Sequence, residues 1–213
     1  MSAPVKRRYD GTRRTAQARA TERAVLTAAH DLFVAQGYGR TTIADIAQAA
    51  GVSAETIYAR FKNKPNLLHR VWDVTVGGDD EDVVFHERPE IRAIRDEPDL
   101  ARRLMMHARM STETARRIGP FLQALQGGAA SDPRVAAMLA EIDRQRLVGM
   151  TVMAAEAAAT GQLAVSEEQC RDLIWSMTDA HLWNRLVAER GWTDDEFAAW
   201  LGRTWVSALV RTT

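Results

Sequence analysis

Apolar residues recur at three- and four-residue steps along most of the chain, the spacing that lines one face of an α-helix. From about Thr15 onward Val25, Ala29, Leu32 and Phe33 share such a face, and Gly37-Tyr38-Gly39 closes the segment. Thr42 then precedes Ile43 with Asp45 three residues on, a capping-box arrangement opening a short helix that carries Ile46, Ala47 and Ala50 inward. Gly51 stops it, Val52 turns inward, and Ser53 can cap a third helix whose buried side holds Ile57 and Phe61. Asn63 and Pro65 open a fourth with Leu67, Leu68, Val71 and Trp72.

The Gly- and acid-rich stretch 77–82 predicts a break. Beyond it, Pro98, Gly119-Pro120, Gly127-Gly128, Asp132-Pro133, Gly161, Ser166 and Gly191 punctuate predicted helices over about 88–96, 98–118, 120–127, 132–160, 166–190 and 193–210. Ser166 with Gln169 and Thr193 with Glu196 repeat the capping spacing. No stretch alternates with period two for long enough to compete as a strand. The expected fold is all-α, with about nine or ten helices. Residues 1–14, polar and basic without periodicity, read as a flexible arm; 15–75 form an N-terminal unit and 82–213 a second helical domain.

Charge sharpens that division. The chain has 213 residues, with 28 Lys+Arg against 28 Asp+Glu. Residues 1–70 nevertheless hold 12 basic and 5 acidic side chains, a net +7, and the remainder carries −7. An even total therefore excludes nothing about nucleic acid, and the partition points phosphate-binding chemistry at the N-terminal part. The single Cys170 excludes an intramolecular disulfide and any Cys-based zinc or iron–sulfur cluster, and no metal or cofactor is expected. No apolar run approaches the roughly 18 residues needed to span a bilayer, so a cytoplasmic protein with no membrane partner is expected. Enzyme motifs are missing too. There is no Gly-rich phosphate loop, no Gly-x-Ser-x-Gly elbow and no His-Glu-x-x-His; His86-Glu87 lacks the second histidine.

Residues 42–61 carry the informative motif. Two helices of about eight residues around a short glycine turn have helix-turn-helix spacing, with Ala47 small enough for close helix contact and Gly51 free to take the left-handed conformation. The second helix would offer Ser53, Ala54, Thr56 and Arg60 to a major groove, with Lys64 just beyond it. Helix starts and hydroxyls near Thr42 and Ser53 can receive phosphate oxygens. Tyr58 is open between a half-buried core tyrosine and a phosphate donor.

Residues 21–75 resemble the DNA-binding domain of the tetracycline-repressor (TetR) family of transcriptional regulators. The likeness rests on Gly37-Tyr38, Thr41-Thr42, Ile46-Ala47, Ala50-Gly51-Val52-Ser53, Tyr58, Phe61, Lys64 and Leu67-Leu68, in that order. It implies three DNA-binding helices, a linking fourth, and a divergent helical domain that dimerises and usually holds an effector pocket. By the same resemblance Thr42 and Ser53 would contact phosphate, Thr56 a base edge or phosphate, Tyr58 the DNA backbone, and Lys64 phosphate. Arg60 stands where the family often has histidine and could pair with guanine or phosphate. Ala54 and Glu55 replace a frequent Lys-Gly pair. Glu55 would pair with Arg60, accept from cytosine N4, or point aside. The implied function is a homodimeric repressor released from a palindromic double-stranded operator by a small apolar or amphipathic effector; the alternative is an architectural DNA-binding protein without effector.

In the second domain, Met105, Met106, Met110, Met150, Met153, Met177 and Trp175 would either pack a core or line a flexible apolar pocket. His107, Arg109 and His181 are its candidate polar groups. The last two helices carry Ile174, His181, Leu182, Phe197, Trp200, Leu201, Trp205 and Leu209, a large apolar load for one amphipathic pair. A second copy would bury it across a two-fold interface, as the resemblance implies; the other option is burial against the helix at 132–160.

Overall fold

The computed structural model describes residues 10–78, 88–130 and 132–211. Among these residues the regular structure is helical throughout, apart from one isolated antiparallel bridge between Leu163 and Val210. The chain divides into two units, Met1–Asp73 and Val74–Thr213.

In the first unit, α1 (Asp10–Gln36) buries Val25, Leu26, Ala29 and Phe33. It begins before Thr15, so residues 10–14 are helical and not part of an arm; residues 1–9 lie outside the described residues. Gly37 ends it at φ +82° with its amide on the Phe33 carbonyl. Tyr38 then turns into the core against Phe33, ring centroids 5.5 Å apart. Thr41, fully buried, ties the connection by donating to the carbonyls of Gly37 and Leu32 at 2.9 and 3.2 Å. Next come α2 (Ile43–Ala50), α3 (Ala54–Phe61) and α4 (Lys64–Gly77). Ile43, Ile46, Ala47, Ile57, Phe61, Leu67, Leu68, Val71 and Trp72 complete the core, as the helical spacing predicts. The unit boundary falls within α4, between Asp73 and Val74.

The second unit contains α5 (Pro89–Asp96), α6 (Leu100–Ala129), α7 (Pro133–Ala159), α8 (Glu167–Met177), α9 (Ala180–Trp183) and α10 (Asp194–Leu209). Two expected boundaries are corrected. The helices expected at 98–118 and 120–127 are a single α6 that runs through Pro120. Proline there lacks one backbone donor, yet Gly119 lies against Trp183, and Phe121 and Leu125 are fully buried, so packing on both sides of the proline outweighs the local preference. The helix expected over 166–190 breaks at Thr178-Asp179. The Thr178 hydroxyl donates to the Ile174 carbonyl, and Asp179 accepts the His181 amide and starts α9 afresh, followed by a π-helical turn at Asn184–Ala188.

α10 runs antiparallel to α6. Asp194 lies 3.7 Å from Arg116, and Gly202 meets Met105 and Ala108. A Cβ on Gly202 would stand 2.5 Å from the Met105 sulfur, so the missing side chain is what allows this approach. The core joins Leu100, Leu104 and Ala108 of α6, Met153, Ala154 and Ala157 of α7, Cys170 and Ile174 of α8, and Phe197, Leu201, Trp205 and Leu209 of α10. The interface expectation changes accordingly. Ile174, Phe197, Leu201, Trp205 and Leu209 are at most 2% exposed inside a single chain, chiefly where α10 lies on α6, and cannot form the face a second copy meets. Leu182 and Trp200 are half-buried and His181 is exposed.

Candidate nucleic-acid interface

The turn between α2 and α3 is built on Gly51, at φ +68°, whose successor Val52 returns its amide to the Ala47 carbonyl at 3.0 Å. A side chain at residue 51 would be strained by that backbone whatever the space around it. Ala47 is buried, Val52 half-buried, and the two short helices meet at this point. Both helix starts are capped. Thr42 Oγ1 accepts the Asp45 amide at 3.1 Å, and Asp45 Oδ2 accepts both the Thr42 amide and its hydroxyl, at 2.9 and 2.7 Å. Those bonds, with Lys64 nearby, hold the Asp45 carboxyl below the usual carboxylate range. Ser53 Oγ accepts the Thr56 amide at 3.3 Å and lies 3.2 Å from Thr56 Oγ1.

Ser53, Thr56 and Arg60 are exposed and fall at i, i+3 and i+7 on one face of α3, with Ile57 and Phe61 buried behind them. Tyr58 is 51% exposed, which removes the core reading of this side chain. Glu55 does not pair with Arg60. Its carboxyl is held below the ordinary range by its own amide and the Ser53 hydroxyl at the start of the helix. Arg60 turns to α1 instead, where Nε and Nη2 both donate to Glu22 Oε2, at 3.0 and 2.6 Å. Glu22 Oε1 also takes Arg70 Nε of α4 at 3.5 Å. Lys64 is half-buried, its Nζ donating to the Tyr38 carbonyl at 2.5 Å and lying 4.0 Å from the Tyr38 ring centroid.

The six residues expected at a DNA surface therefore separate into two kinds. Ser53, Thr56 and Tyr58 are exposed at the start of α3 or on it, Ser53 and Thr56 bonding to each other, whereas Thr42, Arg60 and Lys64 are each engaged with Asp45, Glu22 or the Tyr38 carbonyl. Sequence reasoning missed Glu22, which meets Arg60 of α3 across 38 residues, and Arg70, which meets Glu22 across 48. It also missed Lys62, which follows α3 with φ +67°. A lysine at the end of a helix where glycine is usual was the one local signal available.

In the second unit the pocket candidates differ in burial. Met153 is buried; Met105, Met106, Met110, Met150 and Met177 are half-buried; Arg109 is exposed. The Arg146 guanidinium lies over the Trp175 ring, 4.7 Å from its centroid. His181 is exposed at a shallow cleft with Gly119, Leu122, Gln123, Gln126, Asp179, Ala180 and Asn184. His107 is buried, and burial with the neighbouring Arg103 charge pushes its imidazole down to about 4, so it is neutral at pH 7. Burial and Glu167 push the Cys170 thiol up to about 11. Among the described residues no cluster of His, Cys, Asp or Glu could hold a metal ion, and no helix is long and apolar enough to cross a membrane.

Two short capped helices around a left-handed glycine, on an all-α chain, define a helix-turn-helix protein. Residues 25–71 match the family model of bacterial regulatory proteins, tetR family. Over this segment the chain is similar to the tetR family. It is 37% identical over 59 residues to the HTH-type transcriptional regulator AcrR of Shigella flexneri, covering 28% of this chain and 27% of that protein. It is 42% identical over 57 residues to the HTH-type transcriptional regulator TtgR of Pseudomonas putida, covering 27% of each. The chain thus matches about a quarter of the length of these relatives. Over most of its length it is similar in fold to NalD of Pseudomonas aeruginosa, the secondary repressor of the MexAB-OprM multidrug efflux pump. That match has a TM-score of 0.65 at 19% identity and covers 92% of this chain and all of the other.

Proposed function

We infer that the chain is a sequence-specific DNA-binding transcriptional repressor, acting as a homodimer on a palindromic operator and released by a small-molecule effector. The observation that carries the reading is the exposed row Ser53, Thr56 and Arg60 on a short helix that the core holds from behind, in the part of the chain with net charge +7. That row has the length and residue types for base edges and phosphates in a major groove. First-turn amides of α2 and α3 are suited to phosphate, since the N-terminal end of a helix attracts anions. Lys64 and Thr42 reach phosphate by giving up or sharing their bonds to Tyr38 and Asp45.

The two-fold partner is a second copy, met through the outer faces of α9 and α10, where His181, Leu182 and Trp200 remain accessible. The effector is uncharged or amphipathic. Half-buried methionines of α6 and α7 and the neutral imidazole of His107 support that chemistry. The test is selection by the protein from a random duplex pool, followed by binding of the enriched duplex and a shuffled control over a salt series. A repressor of this kind enriches an inverted repeat and prefers it by at least about 10³-fold. Equal affinity for both duplexes at every salt would instead support an architectural DNA-binding protein. Sedimentation of the free protein checks the dimer.

A further inference from the structure

Arg60 is the one cation in the exposed row of α3, and it is not free. Its Nε and Nη2 both donate to a single oxygen of Glu22, and that carboxylate side chain is only 15% exposed, whereas Arg60 is 63% exposed. The pair therefore has a rooted end on α1 and an outward end on α3. Arg70 of α4 reaches the other Glu22 oxygen at 3.5 Å, so the carboxylate is held from a second side.

We propose that Glu22 is a positioning residue for Arg60 and thereby sets how strongly α3 discriminates among DNA sequences. This rests on the DNA-binding reading above. A guanidinium carries five N–H donors in a planar fork. Glu22 takes the edge formed by Nε and Nη2, leaving Nη1 and the second Nη2 hydrogen without a bond to it on a side chain that is 63% exposed. An arginine held this way presents one edge in one orientation, which suits bidentate recognition of guanine O6 and N7. The same carboxylate places a negative charge beside the cation and opposes indiscriminate attraction to phosphate, which is the sequence-independent part of DNA affinity. Both effects favour the right sequence over the wrong one. An Arg60 without Glu22 is a mobile cation that any phosphate can recruit.

The experiment compares the wild-type protein with Glu22→Gln, Glu22→Asp, Arg60→Ala and the double variant Glu22→Gln/Arg60→Ala. Binding is measured by fluorescence anisotropy on the duplex that the wild type enriches from a random pool and on its shuffled counterpart, over a salt series. For Glu22→Gln the preference for the enriched duplex falls about tenfold, the size expected of one bidentate base contact. Binding to the shuffled duplex tightens, and its log–log salt slope steepens by about one. Glu22→Asp recovers part of the preference. On the Arg60→Ala background Glu22→Gln changes neither the preference nor the slope, because the residue acts through Arg60. The proposal is overturned if Glu22→Gln leaves preference and salt slope unaltered while the wild type still selects a sequence. It is equally overturned if Glu22→Gln has its full effect in the absence of Arg60, the behaviour of a purely structural residue. A wild type that enriches no sequence removes the DNA-binding reading itself, and this inference with it.

Discussion

The two units handle their polar groups in opposite ways. In the first, hydroxyls, carboxylates and cations around α2 and α3 are paired: Thr42 with Asp45, Ser53 with Thr56, Arg60 with Glu22, and Lys64 with the Tyr38 carbonyl. In the second, three ring nitrogens, His107 Nδ1, Trp175 Nε1 and Trp205 Nε1, are buried without a hydrogen-bond partner. Each buried unsatisfied donor or acceptor costs about 1–3 kcal/mol. The first unit thus satisfies the polar atoms around α2 and α3 with named partners. The second is a larger apolar assembly that carries polar atoms at a cost its packing must offset.

Three measurements test that contrast. The largest effect is expected in the second unit, where Trp205 is fully buried between α10 and the rest of the core. Trp205→Ala should lower the free energy of unfolding by about 3–5 kcal/mol, read from denaturant melts. A loss under about 1 kcal/mol would mean that α10 is not held by its core face and would restore Trp205 as a residue for a partner. Next is the acid response. Because the folded pKa of His107 lies below the ordinary 6.5, at about 4, the unfolded chain binds the proton first as pH falls. Stability should be insensitive to this residue above pH 6.5 and drop by up to about 3 kcal/mol between there and pH 4. His107→Phe should flatten that part of the profile; an unchanged profile would show that the ring is not kept neutral by burial.

The smallest effect belongs to the first unit. Ser53→Ala removes the cap of α3 and should cost about 1 kcal/mol, seen as a lowered melting midpoint. Ser53→Gly should recover most of it, since glycine is nearly as good at that position. If both variants melt like the wild type, α3 is held by Ile57 and Phe61 and its cap contributes nothing measurable.

The contrast also explains what could be read from sequence. Caps and the glycine turn are local: Thr42 and Asp45, Ser53, Ser166 and Gln169, and Thr193 and Glu196 act within one helical turn, and each is found in its expected role. Periodicity likewise gave the buried faces of α1 to α4. What escaped depends on partners distant along the chain. Pro120 reads as a stop until Trp183 is seen against Gly119, and the apolar load of α10 reads as an external interface until α6 is seen beneath it. Arg60 could be assigned to a groove, to phosphate or to Glu55 from its neighbours, but nothing near it pointed to Glu22 on α1. Among the pocket candidates, residue type said only that methionines and histidines were present. Burial separates His107 from the exposed Arg109 and His181.

Lys62 shows where this economy ends. It is the only non-glycine residue with positive φ among those described, at the very end of α3, and a glycine there would relieve strain of order 1 kcal/mol. Glycine would also remove one of only three lysines in the chain. A laboratory search for thermal stability would therefore tend to settle on glycine at this position, and would deliver a protein that melts later while carrying one less positive charge beside its recognition helix.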